Sequence, residues 1–262
     1  MAGDFETYLQ LTRDFRPDVD YRTLLSLDDM NRAGFENLGS GDNRVFDPTG
    51  SAGRKINAQG GDDDITLGSG DDVVYGGSGN DTIYTGTGNN TVYGGSGNDY
   101  VLGYRGADLI YGGSGNDELW GDQDASFSNL TGNDTLYGGS GNDILVGHSG
   151  ADELIGGADA DRFVYRVFNE STPGMRDHIA DFNAAEGDRI DLSFLDANAL
   201  VSGNQAFQFV GQSTGAAGQV WATGGGDTWT VFADLNGGGA DMAIDVTLAG
   251  GATRMQASNF VL

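Results

Sequence analysis

Eleven carboxylate or amide side chains recur in one phase through the middle of this 262-residue chain: Asp63, Asp72, Asp81, Asn90, Asp99, Asp108, Asp117, Asp134, Asp143, Asp152 and Asp161. Each is the sixth residue of a nine-residue unit such as Gly76-Gly-Ser-Gly-Asn-Asp-Thr-Ile-Tyr84. Carboxylates among glycine-rich backbone offer only oxygen donors, the chemistry of a hard cation. Calcium accepts about six to eight oxygens in flexible geometry, whereas magnesium demands a strict octahedron and retains water. Zinc lacks its usual ligands, because there is no cysteine and only His148 and His178 carry imidazoles.

The elements that must position these aspartates follow from the rest of the unit. Two residues beyond each stands an apolar side chain: Ile65, Val74, Ile83, Val92, Val101, Ile110, Leu119, Leu136, Leu145, Leu154 and Phe163. Glycines at positions one, two and four permit the tight turns that side chains forbid. The last three residues read as a strand whose middle side chain points inward. So short a strand is stable only by stacking, as in other solenoids whose repeats contact their neighbours and need capped ends. Two units make one coil of about eighteen residues, and successive coils build two facing parallel sheets over an aliphatic ladder. Caps are expected before residue 58 and after residue 164.

In that arrangement one edge carries Asp63, Asp81, Asp99, Asp117, Asp143 and Asp161, and the other Asp72, Asn90, Asp108, Asp134 and Asp152. Neighbours within a column lie about 5 Å apart, so the carboxylates repel unless cations sit between them, at roughly nine positions. Asn90, being neutral, weakens the two positions it shares. Between Gly121 and Gly132 the unit is longer by about eight residues around DASFSNLT, which reads as a surface loop on the second edge. The position between Asp108 and Asp134 is the least secure.

Charge points the same way. The net charge is -26, and between Ala58 and Asp161 eighteen acidic residues face the single Arg105. A metal-free roll would repel itself. About nine divalent ions would bring the chain near -8, ordinary for a soluble protein, and would couple metal binding to folding. A disordered acidic linker is the other reading of such a composition, but the eighth position stays apolar throughout. Excess negative charge disfavours nucleic acid. No apolar run is long enough for a membrane span, and the start, MAGDFETYLQ, lacks the features of a secretory leader.

The flanks differ from the repeats. Residues 1–57 hold seven of the thirteen basic residues. Phe5, Tyr8, Leu9, Thr12 and Phe15 have helical spacing after Asp4, up to Pro17, and a second helix is expected from Ser26 through Leu27, Met30 and Phe35 towards Gly39. Arg44 to Asn57 reads as a strand-like lead-in with Ile56 in the core phase. After Arg162 longer strands are expected: Phe163 to Val167, His178 to Phe182, Arg189 to Phe194, Phe207 to Val210, Gln219 to Ala222, Thr228 to Ala233 and Met242 to Leu248. The expected fold is all-β: a parallel β-roll over 58–164, a β-sandwich-like C-terminal cap over 165–262, and a short, partly helical N-terminal cap or linker over 1–57.

The repeat resembles the calcium-binding nonapeptide of RTX (hemolysin-type) proteins. The stretch ADRFVYRVFNESTPGMRDHIADFNAAEGDRIDLSFLDANAL, with QAFQFVG, AGQVW and the ending NFVL, resembles the C-terminal region of serralysin metalloproteases and related RTX exoproteins. The resemblance spans about residues 58–262. It implies a calcium-loaded β-roll followed by a sandwich, and a secreted, extracellular bacterial protein. Export would need no cleaved signal peptide and would use type I secretion machinery reading a C-terminal signal. It also implies that loop carbonyls supplement the aspartates, here those of Gly76, Ser78, Asn80, Gly94, Ser96, Asn98, Gly112, Ser114, Asn116, Gly138, Ser140 and Asn142. Two departures stand out. Asn259 replaces an acidic residue before Phe260-Val261-Leu262, and the Asp234–Asp241 loop lacks the central carboxylate of a calcium loop.

No catalytic constellation emerges. The HExxH of the serralysin protease is absent, two separated histidines build no triad, and GGSGN lacks the final glycine of a nucleophile elbow. The carboxylates follow the repeat rather than flank a cleft. The leading expectation is a non-enzymatic, secreted calcium-binding RTX protein or module that folds on binding roughly six to nine ions. One alternative is the carrier portion of a larger exoenzyme such as a serralysin-type protease. Another is an adhesive or matrix protein that binds a cell-surface or glycan partner through Tyr75, Tyr93, Tyr111 and Tyr137 on one sheet and Tyr84 and Trp120 on the other. Those rows also read simply as cross-strand ladders.

Overall fold

The computed structural model describes residues 34–123, 132–197 and 204–262. The described residues form two sheets, of 12 and nine strands, joined by one hydrophobic core. Successive strands alternate between them through the roll, so strands adjacent in a sheet are one coil apart in sequence. In the first sheet Val73–Ser78, Thr91–Ser96, Leu109–Ser114, Thr135–Ser140 and Glu153–Ala158 pair in parallel with no slip, Val74 opposite Val92 and Val92 opposite Ile110. In the second, Asp64–Thr66, Thr82–Tyr84, Tyr100–Tyr104, Glu118–Asp122, Ile144–Val146 and Arg162–Val164 do the same. Every eighth-position side chain from Ile65 to Phe163 is at most 1 % exposed, which confirms the aliphatic ladder as the core. Stacking, rather than strand length, buries it.

The lead-in already belongs to the roll. Arg44–Phe46 and Lys55–Asn57 form its first full coil, with Ile56 fully buried opposite Val74. The first expected helix lies outside the described residues, as does the second as far as residue 33. The end of that second helix is corrected: Gly34 has φ +81, and Glu36–Asn37 is a strand paired with Ile56 and Asn57. Backbone pairing, the Asn57 amide donating to Asn37 Oδ1 at 2.6 Å, and Phe35 set edge-on to Tyr75 outweigh helical spacing there.

Both sheets run on past residue 164. His178–Phe182 pairs in parallel with Glu153–Ala158, and Arg189–Asp191 with Arg162–Val164. Met242–Leu248 then lies parallel to His178–Phe182 and starts the antiparallel run through Thr228–Asp234 to Gln219–Gly225. Phe260–Val261 closes the nine-stranded sheet against Ile190 and Asp191. The C-terminal sandwich is thus continuous with the roll, sharing both of its sheets and its core through Ile179, Ile190 and Val246.

Candidate metal centre

The turns that join the sheets gather the sixth-position residues into two columns. In the first, the Asp63 N–H donates to Asp81 Oδ1 at 2.9 Å, and the same bond links Asp81 to Asp99, Asp99 to Asp117, Asp117 to Asp143 and Asp143 to Asp161 at 2.8–2.9 Å. In the second, it links Asp72 to Asn90, Asn90 to Asp108, Asp108 to Asp134 and Asp134 to Asp152 at 2.7–3.0 Å. One carboxylate oxygen is therefore spent on holding the next coil. The other, Oδ2, is buried without a hydrogen-bond partner in Asp63, Asp72, Asp108, Asp117, Asp134, Asp143, Asp152 and Asp161, and all ten aspartates are at most 2 % exposed. A buried, unsatisfied acceptor costs about 1–3 kcal/mol, and more when charged.

At eight of the ten aspartates the space beside Oδ2 is kept by the first glycine of the unit. A Cβ on Gly94 would lie 2.5 Å from Asp99 Oδ2 and 2.7 Å from the Gly112 carbonyl oxygen. Gly76, Gly103, Gly112, Gly121, Gly138, Gly147 and Gly156 stand in the same relation to Asp81, Asp108, Asp117, Asp134, Asp143, Asp152 and Asp161, with Cβ-to-Oδ2 distances of 2.2–2.4 Å. The result is eight oxygen-lined cradles that no side chain can enter. Among the described residues no three carboxylate or imidazole groups converge on one point. A cation here would therefore be held by aspartate oxygens and backbone carbonyls, a donor set that suits calcium.

Other residues expected at the site divide. The position-one carbonyls of Gly94, Gly112 and Gly138 face aspartate Oδ2 atoms. Those of Ser96, Ser114 and Ser140 accept the N–H of Gly79, Gly97 and Gly115 at 2.8–2.9 Å and brace the turn. Ser78 ends the strand Val73–Ser78 in the same register. Asn80, Asn98 and Asn116 form a second ladder, each Oδ1 accepting the N–H of the equivalent residue one coil on at 2.7 Å, and Asn142 extends it to Ala160. This ladder runs opposite to that of the aspartates.

Burial pushes these carboxyls up when no cation is beside them: Asp63 to about 6, Asp108 and Asp117 to about 7, Asp143 and Asp161 to about 8. Asp134 reaches about 10, because Asp152, Asp122 and Asp108 add their charges to the burial. The coil widened by DASFSNLT, which itself lies outside the described residues, does not spoil this position. The Asp108-to-Asp134 bond is 2.8 Å across 26 residues, like its neighbours across 18.

Sequence reasoning missed three carboxylates. Asp177 and Asp188 continue the columns, accepting the N–H of Asp152 and Asp161 at 3.0 Å. Asp188 Oδ2 is taken by the Asn183 N–H, whereas Asp177 Oδ2 is buried and unpartnered. The available signal was the surviving Asp-x-Ile spacing, Asp177-His-Ile179 and Asp188-Arg-Ile190, after the glycines end. Asp122, fully buried and raised to about 8 by its burial, sits where the repeat normally places its second glycine. In the Asp234–Asp241 loop, by contrast, both carboxylates are occupied: Asp234 accepts from Asn236, Gly237 and Gly239, and Asp241 from Leu235 and Asn236.

Neither histidine joins a metal centre. His148 is buried with Nδ1 2.6 Å from Glu170, and His178 lies between Glu153 and Thr247 at 2.9 and 2.8 Å. Tyr75, Tyr93, Tyr111 and Tyr137 stack with centroids 4.5–4.9 Å apart and planes within 11°. Their faces cover one another, so the row presents ring edges outward.

Residues 57–92, 93–127 and 129–163 match the family model for the RTX calcium-binding nonapeptide repeat (4 copies). No curated protein matches the chain significantly. Among solved structures the chain is similar to the AlgE6R3 subunit of the Azotobacter vinelandii mannuronan C5-epimerase, solved in solution. That likeness has 24 % identity over 60 % of this chain and 78 % of that one, with a TM-score of 0.38. The phase of the repeat, the two aspartate columns and the family match agree: these three segments are similar to RTX calcium-binding nonapeptide repeats, and their described residues fold as a parallel β-roll.

Proposed function

We propose that the chain is a secreted calcium-binding module whose roll is unfolded at low calcium and folds outside the cell, taking one ion at each of the eight glycine-lined cradles. The observation that carries this reading is the set of buried, unpartnered Oδ2 atoms. Ten carboxylates at most 2 % exposed are unstable as anions unless a cation completes them. With calcium the same oxygens become the adhesive between coils, and binding free energy becomes folding free energy. Extracellular calcium modules commonly bind at about 10⁻⁴–10⁻³ M, a range that leaves the roll empty in a cytosol and loaded outside.

Export through type I machinery fits the same cycle. The serralysin-like C-terminal segment ends in Phe260-Val261-Leu262, and Phe260–Val261 is a strand of the folded sheet. A transporter would read that segment only before the roll closes, which low calcium ensures. Far-UV circular dichroism during calcium titration of the chelator-treated chain tests the folding claim. Strand signal is expected to rise cooperatively with calcium, and full strand content in excess chelator would end the proposal.

A further inference from the structure

The nonapeptide phase passes through one turn built differently from the rest, Thr85 to Asn90 on the second edge. Where eight other units open with a glycine that leaves a cradle, this one opens with Thr85, which is fully buried. Its hydroxyl donates to the Gly103 carbonyl oxygen at 3.0 Å. Gly103 is the position-one residue of the next unit on this edge, and the equivalent carbonyls of Gly94, Gly112 and Gly138 on the first edge face carboxylates instead. Where the aspartates leave Oδ2 unpartnered, Asn90 uses both amide atoms: Oδ1 accepts the Asp72 N–H at 3.0 Å, and Nδ2 donates to the Gly88 carbonyl at 3.1 Å.

We propose that the Thr85–Asn90 turn takes no calcium and is closed by the protein's own donors. A cation site requires free acceptors. Here two acceptors already receive hydrogen bonds, and the groups aimed into the turn are an O–H and an N–H, which repel a cation. The carboxylate is replaced by a neutral amide, so no buried charge remains to be compensated. The preceding unit also departs from the pattern: its first residue is Leu67, 3 % exposed and packed into the core. Glycine-lined cradles on the second edge therefore begin only at Gly103 and Asp108, whereas on the first edge they run from Gly76 to Asp161. The Thr85–Asn90 turn can dock on the next coil before any ion binds beside it, which gives the second edge one join that does not wait for calcium.

This inference rests on the reading that the glycine-lined cradles bind calcium, and its test separates the two. The double substitution Thr85→Gly with Asn90→Asp recreates a cradle and an orphan carboxylate. Bound calcium, measured by elemental analysis after gel filtration of the full chain in calcium buffer, is expected to rise by one ion per chain. The calcium needed for half-folding should rise as well, since the turn would then wait for its ion. A variant that folds to the wild-type dichroism spectrum with unchanged stoichiometry overturns the proposal. If the variant does not fold, anomalous diffraction from the wild-type chain decides. Ions at the glycine cradles and none beside Asn90 support the inference, whereas an ion beside Asn90 refutes it. No ion at any cradle overturns the parent reading and, with it, the contrast drawn here.

Discussion

Replacing Gly112 by alanine perturbs one cradle with little else. Gly112 does not have a positive φ, so alanine carries no backbone strain there. Its Cβ would lie 2.4 Å from Asp117 Oδ2 and 2.7 Å from the Gly138 carbonyl oxygen, and something must retreat by about 1 Å to restore ordinary contact. The carboxylate cannot turn away freely, because Asp117 Oδ1 holds the Asp99 N–H at 2.8 Å. The methyl group therefore displaces the ion and also crowds the two coils. An ion held at a concentration about 100 times its Kd contributes about 2.7 kcal/mol. Overpacking costs a further 1–3 kcal/mol or so, for a total of about 4–6 kcal/mol. Denaturant unfolding in saturating calcium should show this loss, with one fewer ion per chain and an unchanged spectrum in chelator. Gly41→Ala and Gly211→Ala, whose Cβ atoms would meet nothing within 4 Å, serve as controls. Wild-type calcium content, with stability within about 1 kcal/mol of wild type, would refute the cradle as the calcium site.

Acid should partly replace calcium. Because burial raises the folded-state carboxyls above their ordinary 3.8, to about 7 at Asp117 and about 8 at Asp143 and Asp161, the folded roll keeps protons that the unfolded chain releases. Stability of the calcium-free roll is therefore greatest below about pH 4 and falls as pH rises towards about 8, by about 4 kcal/mol from Asp117 alone. Strand dichroism in chelator should grow on acidification from pH 8 to 5, and a flat profile would contradict the assignment. Leu119→Ala, at a fully buried rung of the ladder, should cost about 2–5 kcal/mol in calcium-saturated unfolding while leaving the stoichiometry intact. Tyr111→Ala removes two stacked pairs, at 4.9 and 4.8 Å, and should cost about 1–3 kcal/mol with no change in calcium content.

What could be read in advance followed the strength of the period. Wherever glycine, aspartate and an aliphatic residue kept phase, the strands, the inward ladder and both columns were legible, because each coil contacts only its neighbours and one unit predicts the next. Legibility failed where one element of the period lapsed while the geometry continued. Asp177 and Asp188 keep the Asp-x-Ile spacing without the glycines, so the repeat stops in the sequence where the structure carries the columns on. Thr85 occupies the first-glycine position of its unit, and only the bond from its hydroxyl to the Gly103 carbonyl marks that turn as closed. At Glu36–Asn37 a helical spacing yielded to the exposed edge of a sheet, a tertiary demand that local pattern does not record.

The coils of this roll are not all one length. Successive column bonds span 18 residues in most places, 26 across the widened coil, and 25 and 27 at the C-terminal end, yet their lengths stay between 2.7 and 3.0 Å. Pitch is set by the strands and the aspartates, and the contour between them is free. A peptide of unrelated sequence spliced between Asp122 and Gly132 would hang from the edge without moving a single strand pair. That makes the connection from Asp122 to Gly132 a graft site, through which such a stack can acquire a new surface while its architecture stays the same.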